Sequence, residues 1–313
     1  MILPPADLNN LRLCDLDLRQ SKVQTDMLGC PWRPGGSLRD FIMGLPRVLA
    51  ADDLRAAADT MVKARRDNRP VILAMGAHVI KVGLSPLIID ALERGLITGL
   101  ALNGAGMIHD VEMALAGRTS EDVVEALADG SFGTARLTGE FINQAVAAAA
   151  DQGLGLAVGS ALLRQSPANL EMSLLAVCTR LDLPATVHVS MGADIIHMHP
   201  SFDGAATGQA SHLDFRLLVA QVGQLMGGVF LNVGSVVMLP EVFLKALSAA
   251  RNLGHQVKDF TTVNMDMIRH YRPQTNVVQR PVLTGGRGLS IIGHHEINLP
   301  LLLAMALEGQ AGL

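Results

Sequence analysis

The stretch RPVILAMGAHVIKVGLSPLIIDALERGLITGLALNGAGMIHDVE, Arg69 to Glu112, runs twice through one plan. Val71–Met75 is an unbroken apolar run that closes on Gly76, and Leu100–Leu102 is another that closes on Asn103 and Gly104. Between them SPLIIDALERG, Ser85 to Gly95, opens with a Ser cap and Pro at the first helical position and stops at Gly. Short β-rich runs that alternate with helical stretches are the signature of βαβ units and a parallel sheet covered on both faces.

The same plan extends to either side. Further strands are expected at Thr186–Val189, Val229–Val233 and Phe260–Val263, with Leu289–Ile292 a weaker sixth. Helical stretches lie between them. ADDLRAAADTMVKARR, Ala51 to Arg66, carries acids in its first turn and bases in its last, as the helix dipole prefers. Further helices are read in GEFINQAVAAAADQG, PANLEMSLLAVCTRLDL, HLDFRLLVAQVGQLMGG and LPEVFLKALSAARNLG. The expected architecture is α/β, a doubly wound and mostly parallel sheet of about six strands with helices on both faces. Residues 1–49 read as an irregular N-terminal extension, with CPWRPGG a turn-rich loop, and residues 50–313 as a single α/β domain.

Composition narrows the function. The 313 residues are 49% apolar and 17% charged, with a formal net charge of −4, which excludes a disordered chain. No basic excess marks a polyanion binder, and ten aromatic residues (eight Phe, Trp32 and Tyr271) do not make a base-stacking platform. No nucleic-acid partner is expected. Cys14, Cys30 and Cys178 form no CxxC pair, and the N-terminus lacks a signal-peptide pattern. A cytoplasmic protein without a membrane segment is the expectation.

Nearly every expected strand ends in Gly and a polar residue: MGAH from Met75, NGAGMIHDVE from Asn103, VSMGAD from Val189, NVGS from Asn232, VNMD from Val263 and GHHE from Gly293. Ligands of open α/β sheets bind beyond the carboxyl ends of the strands, where glycine admits the backbone and a helix N-terminus offers N–H groups to an anion. Six such ends in series point to a nucleotide-sized cleft. GxGxxG after the first strand, GK[ST] and GxSxG are all absent, which weakens the usual Rossmann, kinase and α/β-hydrolase readings.

The order of these motifs resembles the deoxyhypusine synthase family. NGAGMIHD is similar to that family's TAGGxEED segment, MGADIIHMH (Met191 to His199) to its LGDMIFFH, and GGVFLNVGSVV (Gly227 to Val237) to its GMIILGGGVV. The resemblance runs from about Val71 to Pro300 and implies a tetramer or dimer with a doubly wound sheet and an NAD site at the strand ends. It implies that Asn103, Gly104, Ala105, Gly106 and Asp110 lie near the cofactor, that Gly234 supports the dinucleotide, and that Asp194 meets cofactor and amine substrate. Departures are equally clear. His109 replaces a family carboxylate, VMLPEV stands where the family carries KHH, and YRPQTNVVQRPV (Tyr271 to Val282) contains no lysine. Schiff-base transfer needs an amine nucleophile, so this chain is not expected to be a deoxyhypusine synthase.

The polar residues each admit two readings. His197 and His199 would share a side if their segment is extended, and with His188 could hold a metal in a hydrolase; hydrogen-bonded cleft histidines are the alternative. In GHHEINLP, either His295 is a general acid or base, or the segment is a polar helix start with Glu296 complementing the dipole. Asp110 is a ligand contact or a plain cap, and Glu112 a first-turn acid. Arg269, Arg272 and Arg280 are an anion clamp or a solvated loop, and Ser201 to Gly208 (SFDGAATG) a lid or an ordinary loop.

The favoured reading is an NAD-dependent enzyme acting on a small amine or amino-acid-like substrate. Its expected catalytic residues are Asp194, His109 and His295. Gly76, Ser235, Asn264 and Asp266 join Asn103 to Gly106, Asp110 and Gly234 around NAD, and His78, Lys81, His197, His199 and Glu296 serve the substrate. A nucleotide-binding protein without turnover is the non-enzymatic alternative.

Overall fold

In this computed structural model residues 3–311 are described. The chain forms two compact units, Met1–Asp52 and Asp53–Leu313. The first holds two 3-10 turns, Leu16–Leu18 and Thr25–Met27, and one helix, Leu38–Gly44. That helix starts from a capping box: Ser37 Oγ accepts the Asp40 N–H, and the Asp40 carboxylate accepts the Ser37 N–H.

The second unit is built on six strands: β1 Val71–Met75, β2 Gly99–Asn103, β3 Ala185–His188, β4 Val229–Val233, β5 Phe260–Asp266 and β6 Gly286–Ile292. All five pairings are parallel, in the order β3-β2-β1-β4-β5-β6. The chain thus winds outward from β1 to one edge and from β4 to the other, which makes the sheet doubly wound, with its topological switch between β1 and β4. Every residue of β1, β4 and β5 is buried, as expected of strands covered on both faces, including the polar Asn232, Thr261, Thr262, Asn264 and Asp266.

On one face Ile72, Ala74 and Phe230 pack against Leu218, Val222, Phe243 and Leu247, from the helices Gly204–Gly223 and Met238–Asn252. Phe230 and Phe243 stack with ring centroids 3.7 Å apart. Burying each such side chain contributes about 1.5–3 kcal/mol. Among the described residues, no helix is long and apolar enough to cross a membrane.

Several local expectations need correction. The helix read from His212 begins at Gly204, capped by Asp203, whose carboxylate accepts the Ala205 and Ala206 N–H groups, so SFDGAATG is largely helix and not a lid. The helix read across Pro167 to Leu183 is a 3-10 turn, Leu170–Met172, and a separate helix, Leu174–Arg180. Leu84, not Ser85, occupies the cap of Ser85–Glu93, and Ser85 Oγ is buried without a partner among the described residues.

Candidate functional site

Polar residues gather in two places along the carboxyl rim of the sheet. The first is a cavity of about 250 Å³ beyond β2 and β3, lined by Lys81, Ala105, His109, Glu112, Glu121 and Asp194 among others. Lys81 ends a one-turn helix, His78–Lys81, just beyond β1. The helix Gly104–Ala116 springs directly from β2 and presents His109 and Glu112, three residues apart and therefore on one face.

Asp194 closes the cavity from the turn beyond β3. Its carboxylate accepts the Ser190 N–H at 3.1 Å and bonds the Ala105 N–H as well. Burial raises the Asp194 carboxyl above its ordinary value, while these N–H groups and His197 pull it down. The N–H of Gly106 is taken by its own cap, Asn103 Oδ1, at 2.9 Å. The N-terminus of Gly104–Ala116, expected to lie against the cofactor, thus spends these two donors on Asn103 and Asp194.

His109 Nδ1 lies 2.5 Å from Thr119 Oγ1, and Thr119 Oγ1 donates to Glu112 Oε2. Thr138 Oγ1 donates to the other Glu112 oxygen at 3.1 Å. Burial pushes the Glu112 carboxyl up, but the bonds from His109, Thr119 and Thr138 outweigh it and hold the group below its usual value. The sequence reading makes Glu112 a first-turn acid, but the helix starts at Gly104 and has no acid in its first turn, so Glu112 lies about two turns in; the sequence gives no sign of Thr119 or Glu121. The (i, i+3) spacing of His109 and Glu112 is the one signal that could have paired them.

The second gathering is the switch point between β1 and β4. The Gly76 N–H bonds the Val233 carbonyl, Gly234 N–H the Met265 carbonyl and Gly293 N–H the Asp266 carbonyl, which ties the turns after β1, β4 and β6 to the rim. Gly76 and Gly234 touch backbone to backbone, with no room for a Cβ on Gly76. Gly234 has φ +64, and a Cβ there would lie 2.9 Å from His295 Nε2. The His295 ring meets His78 edge-on at 5.8 Å. Burial lowers the His295 pKa, with Asp266 pulling it upward. Asn232 Nδ2 donates to Asn264 Oδ1 at 2.7 Å and to the Ser235 carbonyl. Among the described residues, Asn232 Oδ1, Asp266 Oδ2 and His295 Nδ1 are buried without partners.

Other expected site residues are engaged elsewhere. Asp110 is fully buried and caps a different helix: its carboxylate accepts Ser173 Oγ–H at 2.6 Å and the Leu174 and Leu175 N–H groups. It is therefore turned to Leu174–Arg180 and away from a ligand. Ile195–Met198 is a 3-10 turn, so the extended alternation assumed for His197 and His199 does not apply. His197 Nδ1 accepts the Gly192 N–H, His199 Nε2 pairs with the Gly133 carbonyl, and His188 Nε2 pairs with Thr186 Oγ1 inside β3. Among the described residues, no group of three His, Cys, Asp or Glu converges as metal ligands, so the hydrolase triad of His188, His197 and His199 does not assemble. His294 and Glu296 lie on the surface, 3.7 Å apart. Arg272 leans to Glu241 and Arg280 donates to Asn276 Oδ1, so neither is a free clamp.

Known structures share this architecture. A candidate deoxyhypusine synthase from Entamoeba histolytica aligns over 90% of this chain and 96% of its own, at TM-score 0.51 and 8% identity. The chain has a deoxyhypusine-synthase-like fold. AgrE, solved as a ternary complex with ornithine and NAD+, aligns with the same fold over 83% of this chain at TM-score 0.54 and 13% identity. A candidate LOR/SDH protein from Methanococcus maripaludis S2 covers 84% of this chain and 71% of its own, at TM-score 0.55 and 16% identity. The chain spans 33% of the AgrE chain. No family model matches it, and no curated protein does.

Proposed function

We propose that this protein is an NAD-dependent enzyme that acts on a carbon–nitrogen bond of a small amine or amino acid. The observation that carries the reading is the lining of the cavity beyond β2 and β3. Among the described residues, Lys81 is its one Lys or Arg, against Glu112, Glu121 and Asp194. An acidic excess favours cationic amines, and a single lysine suits a carboxylate. About 250 Å³ admits an amino acid and is too small for a whole dinucleotide.

The cofactor belongs to the switch point. Its unpartnered Asn232, Asp266 and His295 atoms fit a polar guest there. Each unpaired buried polar atom costs about 1–3 kcal/mol, which a hydrogen-bonding ligand would offset. Gly76, Gly234, Ser235, Asn264 and Asp266 would hold it, with the N-terminus of Met238–Asn252 following directly. NAD, when bound, supplies a hydride acceptor. AgrE, of like fold, was solved with ornithine and NAD+, which supports this pairing of cofactor and substrate class.

In the cavity Asp194 orients the substrate ammonium and Lys81 its carboxylate. His109 takes the proton whose loss frees the nitrogen lone pair for oxidation at the neighbouring carbon. Tyr271 to Val282 has no lysine to receive an imine, so the chain is not a deoxyhypusine synthase. Assembly into a dimer or tetramer and a cytoplasmic location belong to the same proposal.

The test is nicotinamide absorbance when protein and NAD+ are mixed with ornithine, lysine, other amino acids and spermidine. Turnover with at least one is expected, and Asp194→Ala should cut kcat/KM more than about 100-fold, the low end for a lost catalytic group, while NAD+ affinity stays unchanged. NAD+ binding without absorbance change for every amine would instead favour a nucleotide-binding protein without turnover.

A further inference from the structure

The geometry points to a hydroxyl relay, Glu112–Thr119–His109, that keeps the His109 proton on Nδ1 and leaves the Nε2 lone pair as the base facing the cavity. A threonine hydroxyl has one proton to give. Thr119 Oγ1 gives it to Glu112 Oε2, so toward His109 Nδ1, 2.5 Å away, that oxygen can only accept. The ring must then donate from Nδ1, which fixes the tautomer. Among the described residues, Nε2 has no hydrogen-bond partner, while His109 lines the cavity.

Glu112 is locked in turn. Thr138 Oγ1, itself buried, donates to its second oxygen, so each carboxylate oxygen faces a hydroxyl. Its carboxyl is held below the ordinary value, so the anion that the relay requires persists at neutral pH. Glu112 Oε2 lies 3.5 Å from His109 Nδ1, close enough to stabilise an imidazolium once formed. Thr119 and Glu112 are therefore positioning residues and His109 the base. The step is one proton transfer: a substrate R–NH3+ loses a proton to Nε2, giving R–NH2 with its lone pair free and a ring carrying both N–H protons. No other bond changes.

Thr119 lies in the turn that follows Gly104–Ala116, beside Ser120 at φ 71. Loop and helix thus share the relay, and movement of that turn would break it.

The inference rests on the cavity being the amine site, but its tautomer is readable without substrate. Long-range ¹H–¹⁵N correlation of the neutral His109 ring in the labelled full chain should give a protonated Nδ1 and a bare Nε2. Thr119→Val should mix the two tautomers and Thr119→Ser should restore the wild-type pattern, with thermal melts confirming folding. A wild-type ring protonated mainly at Nε2, or an unchanged pattern in Thr119→Val, would overturn the relay whatever the enzyme assays give. Where turnover is found, Thr119→Val should lower kcat by about 10²-fold, the low end for a lost general base, with rescue by Thr119→Ser. Absence of turnover with the relay tautomer intact would reject the proposed reaction and leave the relay standing.

Discussion

The carboxylate of Asp194 occupies the space that a side chain on Gly104 would need. A Cβ built on Gly104 runs into both carboxylate oxygens and Cγ of Asp194. The missing side chain lets a residue from the far side of β3 seat itself at the start of the helix Gly104–Ala116, where the dipole and the Ala105 N–H favour its charge. The cavity wall and the helix start are one structure.

That relationship predicts opposite outcomes for two glycines in helices. Gly208 has nothing within 4 Å of a built Cβ, so Gly208→Ala should stabilise by about 0.5–1 kcal/mol through reduced backbone entropy. Gly104→Ala should destabilise by about 1–3 kcal/mol, because the carboxylate must move. Urea unfolding of the two variants checks this; equal shifts would contradict the seating of Asp194.

A second prediction concerns pH. Asp214 is buried on the helix Gly204–Gly223, and its Oδ2 accepts the Gly155 and Val187 N–H groups. Burial raises its pKa to about 7, against the pull of those bonds. A carboxyl raised above its unfolded value of about 3.9 stabilises the fold fully below that pH and loses the contribution as pH rises through the folded value. Stability of the wild type relative to Asp214→Asn should therefore fall between about pH 4 and about 7, and ¹³C shifts of the Asp214 carboxyl should titrate near 7. A carboxyl midpoint near the ordinary value of about 4 would refute it.

Gly234 offers a third. Its φ of +64 and its nearness to His295 mean that Gly234→Ala strains the backbone and displaces the imidazole. We expect a loss of about 1 kcal/mol or more in stability and weakened NAD+ binding, measured by calorimetry on folded protein. Gly254, with φ +93 and open space around it, is the control: Gly254→Ala should cost stability but leave NAD+ affinity alone.

The sheet was legible because parallel strands covered on both faces are mostly apolar runs: VILAM is wholly apolar, VFLNV is broken only by Asn232, and both strands have the bounds read from the sequence. The helix start at Gly204 was not, since GAATGQAS has no apolar period; only Asp203 signals its cap. Asp110 misled because its partner helix lies more than sixty residues on, and no local spacing encodes a remote cap. Asp194, Lys81 and His109, which the sequence offers in motifs that follow expected strands, line one cavity. Thr119 escaped because its role depends on how a surface turn folds back on the helix before it.

Isothermal titration of the full chain with NAD+ tests the central claim most directly. Saturable binding at one site per chain, weakened in Gly234→Ala and retained in Asp194→Ala, is the predicted result. No heat of binding up to millimolar NAD+, with the protein shown to be folded, would contradict it.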